Sequence, residues 1–269
     1  MGNLITVAAG FALGAQGGFN FWLFLTTIIG LSLVIASACV FNNYIDRNID
    51  KKMARTNKRA LVNGIISARN AILFAIILAL IGFVILFTYT NLLTVLVAAI
   101  GFFVYVVLYS MWKCRTIYAT AIGSIAGAMP PLVGYCAASN QFDLGAIILF
   151  AILVLWQMPH FYSITVMHYD DYKAASIPAY PIQKGMAKTK VRMVVYISAF
   201  IIAVSLLTLF DYTGYIYLTI ATAIGFTWLW FSIKGFKASD DKLWARRMFR
   251  FSLVAITALS ILIPLNLVY

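Results

Sequence analysis

The sequence NNYIDRNID, residues 42–50, ends an apolar run that begins near residue 20. Asn42, Asp46 and Asp50 are spaced four residues apart, so on a helix they form one stripe along one face. An apolar run of this length is typical of a helix that crosses a membrane. The stretch therefore predicts a membrane-spanning helix whose last turns carry polar side chains on a single face.

Similar apolar runs recur along the whole chain, which has 269 residues, 63% hydrophobic and 10% charged. Each run is long enough to cross a bilayer as a helix. The segment from Leu4 to Ala15 is too short to cross alone, so we expect the first span to begin upstream of Met1. The predicted fold class is all-α, a polytopic integral membrane protein. The eight full-length spans lie at roughly 20–43, 70–88, 92–111, 116–138, 144–168, 190–210, 214–233 and 247–267.

The basic residues indicate the topology. All 20 Lys and Arg lie in four regions, 47–69, 113–115, 173–192 and 234–250, whereas the turns between them contain none. Because Lys and Arg mark cytoplasmic loops, every second loop is predicted to be cytoplasmic, which gives about nine transmembrane helices. The net charge of +12 then reflects topology and attraction to the lipid bilayer's anionic headgroups. We expect no nucleic-acid partner, because the basic residues form no separate domain.

The two acidic junctions suggest that the chain is built as two similar halves. Span 20–43 and, four spans later, span 144–168 both lead into long cytoplasmic loops that begin with acids and continue with bases. We predict a single domain over residues 1–269, built as two four-helix units plus one helix around a central cavity. Both acidic junctions should lie at one end of that cavity. The Gly10/Gly14 and Gly123/Gly127 pairs predict close helix packing.

The first junction combines ligands for a cation with ligands for an anion. Mg²⁺ is usually held by one or two carboxylates together with phosphate and water, which Asp46 and Asp50 could provide. Acids within or beside a membrane span are costly and tend to be functional. The bases that follow suit diphosphate oxygens, and Arg can bind them with two hydrogen bonds. The candidate diphosphate-binding residues here are Asn42, Arg47, Arg55, Lys58 and Arg59.

The second junction supplies further candidates. Asp171 shares a predicted helix face with His160 and is the best second metal ligand, while Lys173 suits a phosphate contact. The only two histidines, His160 and His168, could bind haem iron, act as bases or hydrogen-bond a propionate. Among the aromatic residues, the candidates to line the cavity and stabilise an allylic cation are Tyr105, Tyr109, Trp156 and Phe161.

At these two junctions the chain resembles the intramembrane aromatic prenyltransferase superfamily, whose members carry an Asp-rich motif after the second span and another after the sixth. Asn43 stands where the superfamily usually has Asp, and Met167 stands where a carboxylate is common. Both departures resemble the protohaem IX farnesyltransferase (haem O synthase) branch. That branch is similar to this chain across its whole length, in the segments 40–47, 53–56, 156–160 and 171–178.

The resemblance implies a reaction. Farnesyl diphosphate would bind through Mg²⁺ to Asp46, Asp50 and Asp171, with Asn43 among the diphosphate-binding residues. The C2 vinyl group of haem B would attack the farnesyl cation, and water addition would give haem O. The resemblance also implies a bacterial inner (plasma) membrane, an active site facing the cytoplasm, and contact with haem A synthase or the terminal oxidase assembly.

Three other functions stay open at this point. A prenyltransferase for a quinone precursor would use the same diphosphate site. A transporter would usually place its acids near the bilayer midplane on broken helices, whereas these acids lie at predicted cytoplasmic helix ends. A haem-binding electron carrier would use the two histidines but would leave the cluster of Asp and Arg without a role.

Overall fold

The computed structural model of the protein describes residues 2–268. Those residues are helical apart from their connecting loops, and one isolated bridge joins Thr213 to Leu267. Helix α4 continues through a π-helical segment, Val104–Tyr109, into α5, and a 3-10 turn, Gly235–Lys237, follows α11. The α-helices in chain order are α1 (Gly2–Ala15), α2 (Phe21–Asp50), α3 (Ala68–Tyr89), α4 (Leu92–Phe103), α5 (Ser110–Trp112), α6 (Ala119–Ser139), α7 (Leu144–Met167), α8 (Tyr169–Ala174), α9 (Tyr180–Lys184), α10 (Met186–Leu209), α11 (Tyr215–Lys234) and α12 (Asp241–Leu265).

Eight of the helical segments in the described part of the chain are long and apolar enough to cross a membrane. They match the eight predicted spans, so the all-α polytopic fold class is confirmed. Helix α3 shows the expected lipid-facing surface, since Leu80, Val84 and Phe87 are each more than 60% exposed. The ninth apolar helix, α1, has 14 residues, and the count of nine spans stays a prediction.

The packing places α7 at the centre of the second half. Helix α7 contacts α6, α10 and α12, while α10 contacts α11 and α11 contacts α12. In the first half, α2 packs against α3 and α6, and α4 packs against α6. Helix α1 packs against α6 and α12 and so contacts both halves. The division into two four-helix units stays a prediction.

Glycines allow α1 to approach α6 closely, as the Gly10/Gly14 pattern predicted. A Cβ atom at Gly10 would overlap the carbonyl oxygen of Pro131, and one at Gly14 would lie 2.5 Å from that of Tyr135. In return, a Cβ atom at Gly134 would overlap the carbonyl of Val7. Small residues let two backbones come together inside a membrane, so the predicted role of this glycine pair is confirmed.

The two acidic junctions meet at one end of the helices. Helix α2 stays helical through Asp50, well beyond the predicted end of its span, and a series of turns then leads to α3. The backbone N–H of Ala54 in these turns donates to Asp171 Oδ1 over 3.2 Å. Because Asp171 belongs to the segment after α7, this bond joins the two junctions directly and confirms their predicted proximity.

Candidate active site

A cavity of about 240 Å³ lies between the two junctions. Its walls come from the last turns of α2, the turns that follow, the π-helical segment, the start of α6 and the end of α7. It combines two acids, three bases and four aromatic rings. These charged and aromatic lining residues are Asp46, Asp50, Arg55, Arg59, Lys113, Tyr105, Tyr109, Phe161 and Tyr172.

Asp46 is buried, at 5% exposure. Its Oδ2 atom pairs with the ammonium group of Lys113. Its Oδ1 atom is buried and accepts no hydrogen bond from the described residues. A buried oxygen without a partner is costly and calls for an explanation, and a bound cation would satisfy it.

Asp50 lies one turn further along the same face of α2, as the four-residue spacing predicted. It is 4% exposed, and its Oδ2 atom accepts a hydrogen bond of 2.7 Å from Arg59 Nη1. The Asp50 backbone carbonyl also accepts a hydrogen bond from Thr56 Oγ1. The carboxylate and the turns after α2 therefore hold Arg59 against the cavity.

The donor set fits a magnesium ion bound together with a substrate. Two carboxylates one turn apart, with one oxygen free, match the one or two protein carboxylates that Mg²⁺ commonly uses beside phosphate and water. No group of three His, Cys, Asp or Glu side chains within residues 2–268 could hold a metal ion. The predicted triad of Asp46, Asp50 and Asp171 is therefore not assembled as a direct protein cage.

Asp171 does not line the cavity, unlike the prediction. It accepts from the Ala54 N–H, and its Oδ2 atom lies 3.8 Å from His168 Nδ1. The helix that was predicted to carry Asp171 on the His160 face ends at Met167, because His168 takes a non-helical conformation. The break changes the direction of the following side chains, and Tyr172 enters the cavity lining instead.

The predicted anion-binding residues separate into two groups. Arg55, Arg59 and Asn42 line the cavity, and Asn42 Nδ2 donates to Ser110 Oγ over 3.3 Å. Arg47 instead donates to the Tyr44 carbonyl over 2.7 Å and stacks on that ring. Three further candidates lie outside the cavity lining: Asn43 is half-buried, and Lys58 and Lys173 are exposed.

Neither histidine lines the cavity. His160 is 9% exposed and sits between α7 and α12, where its Nδ1 atom lies 2.7 Å from Ser252 Oγ. His168 lies at the end of α7, and its pKa is lowered by partial burial and by the charge of Arg55, while Asp171 opposes the shift.

The aromatic candidates are mostly confirmed as cavity residues. Tyr105 and Tyr109 stack with 5.7 Å between ring centroids and 11° between planes, and Phe161 lines the same space. Gly123 makes room for the Tyr109 ring, since a Cβ there would lie 3.0 Å from it. Trp156 lies outside the lining and stacks on His160.

Sequence reasoning missed Lys113 as a site residue. The region 113–115 contains just two basic residues and was interpreted as a topology signal. One available signal was its position directly after the span that carries Tyr105 and Tyr109. The ion pair with Asp46 could not be read from the sequence, because it joins residues 67 positions apart.

Comparison with known proteins identifies the family. The UbiA prenyltransferase family matches residues 3–254. The chain belongs to the UbiA prenyltransferase family. This UbiA-family chain is 55% identical over 268 residues to "Protoheme IX farnesyltransferase" of Protochlamydia amoebophila, covering 100% of this chain and 95% of the relative. It is 48% identical to the protein of that name from Cronobacter sakazakii, covering 98% and 90%. The predicted resemblance to that branch is confirmed, and the chain is a prenyltransferase.

Solved structures show the same fold at low sequence identity. A digeranylgeranylglyceryl phosphate synthase structure superposes with a TM-score of 0.80 at 18% identity, covering 98% of this UbiA-family chain and 92% of the other. A UbiA homologue from Archaeoglobus fulgidus, bound to GPP and Mg²⁺, gives a TM-score of 0.71 at 16% identity, covering 97% and 94%. These likenesses support the shared fold of a multi-pass membrane protein.

Proposed function

We propose that this chain transfers a farnesyl group from farnesyl diphosphate to the C2 vinyl group of haem B, with addition of water, to give haem O and diphosphate. The observation that carries the proposal is the pair of buried carboxylates on one face of α2, in a cavity completed by bases and aromatic rings. The full-length relatives named protoheme IX farnesyltransferase supply the identity of the two substrates.

The charged end of the cavity would hold the diphosphate. Arg55 and Arg59 face it from the turns after α2, and Lys113 faces it from the end of α5. A magnesium ion held by Asp46 and Asp50 would supply charge stabilisation for the leaving diphosphate; the Archaeoglobus homologue bound to GPP and Mg²⁺ supports this choice of metal. The unpartnered Oδ1 atom of Asp46 is the position in this chain that most favours a cation.

The aromatic part of the cavity would protect the reactive cation. When the C1–O bond breaks, its electron pair leaves with the diphosphate, and the farnesyl group becomes an allylic cation. The ring faces of Tyr105, Tyr109 and Phe161 attract positive charge and keep water away from it. The vinyl electron pair of haem then forms the new C–C bond. Water adds to the resulting cation beside the porphyrin and loses one proton to solvent.

The positions of the basic residues also support an orientation of the protein in the membrane. All four regions that contain Lys or Arg lie at the end of the helices where the cavity opens, so the site would face the cytoplasm of a bacterial plasma membrane. Asp171 and Lys173 lie in the loop next to this end of the cavity. Asp171 would hold the turns after α2 in place by accepting the hydrogen bond from Ala54. The apolar product would stay in the bilayer, where a haem A synthase or terminal oxidase assembly could receive it.

The test is a reconstituted reaction. The purified protein is incubated with haem B, farnesyl diphosphate and Mg²⁺, and the haems are extracted and identified by mass. We expect haem O with the native protein, none after chelation of Mg²⁺, and far less in the Asp46→Asn variant. Prenylation of an added quinone precursor without any change in haem would instead support the alternative acceptor and reject the haem reaction.

A further inference from the structure

Two arginines of α12 lie on the outer surface of the helix bundle, toward the end that contains the cavity. Arg247 and Arg250 are both exposed, and both belong to a helix that is long and apolar enough to cross a membrane. From Arg250 to the end of α12 at Leu265 the helix rises about 22 Å, less than the hydrocarbon thickness of about 30 Å. Arg250 is therefore within reach of the lipid headgroups. A charged side chain on such a surface is costly unless its charge is compensated.

No acid in the described part of the chain neutralises these two side chains. The acids nearest to them in sequence are engaged elsewhere. Asp240 accepts hydrogen bonds from two backbone N–H groups in the first turn of α12, and Asp241 pairs with Lys190. The ion pairs within residues 2–268 use as their bases Arg59, Lys113, His168, Lys190 and Lys242. The guanidinium groups of Arg247 and Arg250 are therefore available to an anion from outside the protein.

The contacts of α12 show that Arg247 adjoins α11. Trp244 Nε1 donates to the Phe231 carbonyl over 3.0 Å, and the Phe251 ring packs edge-on against the Phe231 ring. Arg247 lies three residues after Trp244 and four before Phe251, so these three residues share one side of α12. Arg250 follows Arg247 by three residues and is its neighbour on the helix surface. The two arginines therefore border the groove between α11 and α12.

Helix α11 adds a third base and an aromatic ring to this groove. Lys234 follows Phe231 by three residues, so it lies on the side of α11 that faces α12. Its ammonium group lies 3.6 Å from the centroid of the Trp230 ring, and both side chains are exposed. Tryptophan is enriched where a membrane meets water. The ring therefore indicates that the three bases lie at the level of the headgroups.

Beyond the arginines, the exposed surface of α12 is apolar. Val254 and Ile261 are 60% and 52% exposed, and they lie four and eleven residues after Arg250, on the same side of the helix. One leaflet of the hydrocarbon layer is about 15 Å thick, or about ten residues of helix. The apolar stripe is therefore as long as one acyl chain. Bases at headgroup level followed by such a stripe match the two parts of a phospholipid with net negative charge.

We propose that this surface of α11 and α12 is a binding site for one anionic phospholipid. The phosphate binds to the guanidinium groups of Arg247 and Arg250, each of which can donate two hydrogen bonds to it. Lys234 adds a further positive charge, and an acyl chain lies along the stripe from Val254 to Ile261. General attraction of basic residues to a negative membrane surface would treat all exposed Lys and Arg alike. The site lies on the outer surface of the bundle, so its occupancy does not depend on the proposed reaction.

The experiment titrates phosphatidylglycerol into the purified full-length protein in detergent and counts bound lipids by native mass spectrometry. We expect one tightly bound lipid. The Arg247→Gln, Arg250→Gln double variant should bind it about 25-fold more weakly, because each base near an anionic lipid contributes about fivefold. Arg250→Gln alone should weaken binding about fivefold. The matched control is Lys51→Gln, Lys52→Gln, which removes the same charge from exposed positions directly after α2 and should keep the native affinity.

Two further ligands separate the lipid from its parts. Phosphatidylcholine with the same acyl chains carries no net charge and should bind more weakly. Glycerol 3-phosphate has no acyl chain and should not displace phosphatidylglycerol at equal concentration. Thermal unfolding of each variant checks that it is folded.

Three outcomes would overturn the inference. An equal loss of affinity in the two double variants would leave general electrostatic attraction as the explanation. Equal binding of phosphatidylcholine would remove the requirement for net negative charge. Displacement by glycerol 3-phosphate would show a site for free phosphate, in which the apolar stripe of α12 has no part.

Discussion

Asp46 holds one cation and has an oxygen available for another. Its Oδ2 atom pairs with Lys113, while its buried Oδ1 atom has no partner among the described residues. Lys113 thus neutralises the carboxylate in the protein without metal. In the proposed reaction, a cation that enters with the diphosphate would compete with the ammonium group for Asp46, and the ammonium group would become available to the diphosphate.

This competition gives the first prediction. Lys113→Gln should lower the stability of the metal-free protein by about 3–5 kcal/mol, because it leaves a buried carboxylate unpaired. Mg²⁺ should then raise the melting temperature of the variant more than that of the native protein. The measurement is thermal unfolding in detergent with and without Mg²⁺. In the Lys113→Gln, Asp46→Asn double variant, both effects should disappear; an equal Mg²⁺ shift in all proteins would contradict the competition.

The second prediction concerns the carboxylate itself. Asp46→Asn should lower kcat for haem O formation by about 10²–10³-fold or more, since a group that stabilises developing charge is lost. The matched control is Asp211→Asn, an exposed residue with a φ of 60°, a conformation that Asn adopts readily. Turnover is measured from the mass of extracted haem. Native turnover in a folded Asp46→Asn protein would remove Asp46 from the proposed metal site.

At the scale of helices, local sequence predicted the spans well and their irregularities poorly. Hydropathy located all eight long helices, and the spacing of Asp46 and Asp50 predicted their shared face. The π-helical turn at 104–109 leaves no local signal, because its sequence VYVVLY is as apolar as the rest of the span. Its position depends on tertiary contacts, among them the Asn42–Ser110 bond and the packing of the Tyr109 ring against Gly123.

The same limit explains the displacement of Asp171. Helical periodicity can assign a face only while the helix continues, and α7 ends at Met167. Beyond that point the direction of each side chain is set by partners distant in sequence, such as Ala54. Lys113 escaped prediction for the same reason, whereas the acids on the continuous helix α2 did not.

The α1–α6 contact gives a prediction at this scale. Gly10→Ala should destabilise the protein by about 1–3 kcal/mol, because the added methyl group would overlap the Pro131 carbonyl and force the two helices apart. Gly2→Ala, at a site on the same helix with nothing within 4 Å, is the matched control. Thermal unfolding of both variants in the same detergent measures the difference. Equal stability of the two would show that α1 packs less closely than described.

For the whole molecule, charge and chemistry lie at the same end. The 20 basic residues lie in four segments near the helix ends that contain the cavity of Asp46 and Asp50, whereas the opposite turns contain none. One set of side chains therefore serves two purposes. It would fix the proposed orientation in the membrane, and three members, Arg55, Arg59 and Lys113, line the cavity. The proposed orientation and substrate access would consequently be linked, because the same basic residues determine both.

Labelling of single cysteines tests this orientation. In a background where Cys39, Cys114 and Cys136 are replaced, Lys58→Cys lies in the turns after α2 and Gln141→Cys lies between α6 and α7, and both sites are exposed. A maleimide that does not cross membranes should label Gln141→Cys in intact bacterial spheroplasts, and should label Lys58→Cys only after permeabilisation. The physical reason is that Lys and Arg oppose transfer across the membrane during insertion. Labelling of Lys58→Cys in sealed spheroplasts would place the diphosphate cavity on the outer face, and the cytoplasmic assignment would then be wrong even if the chemistry were right.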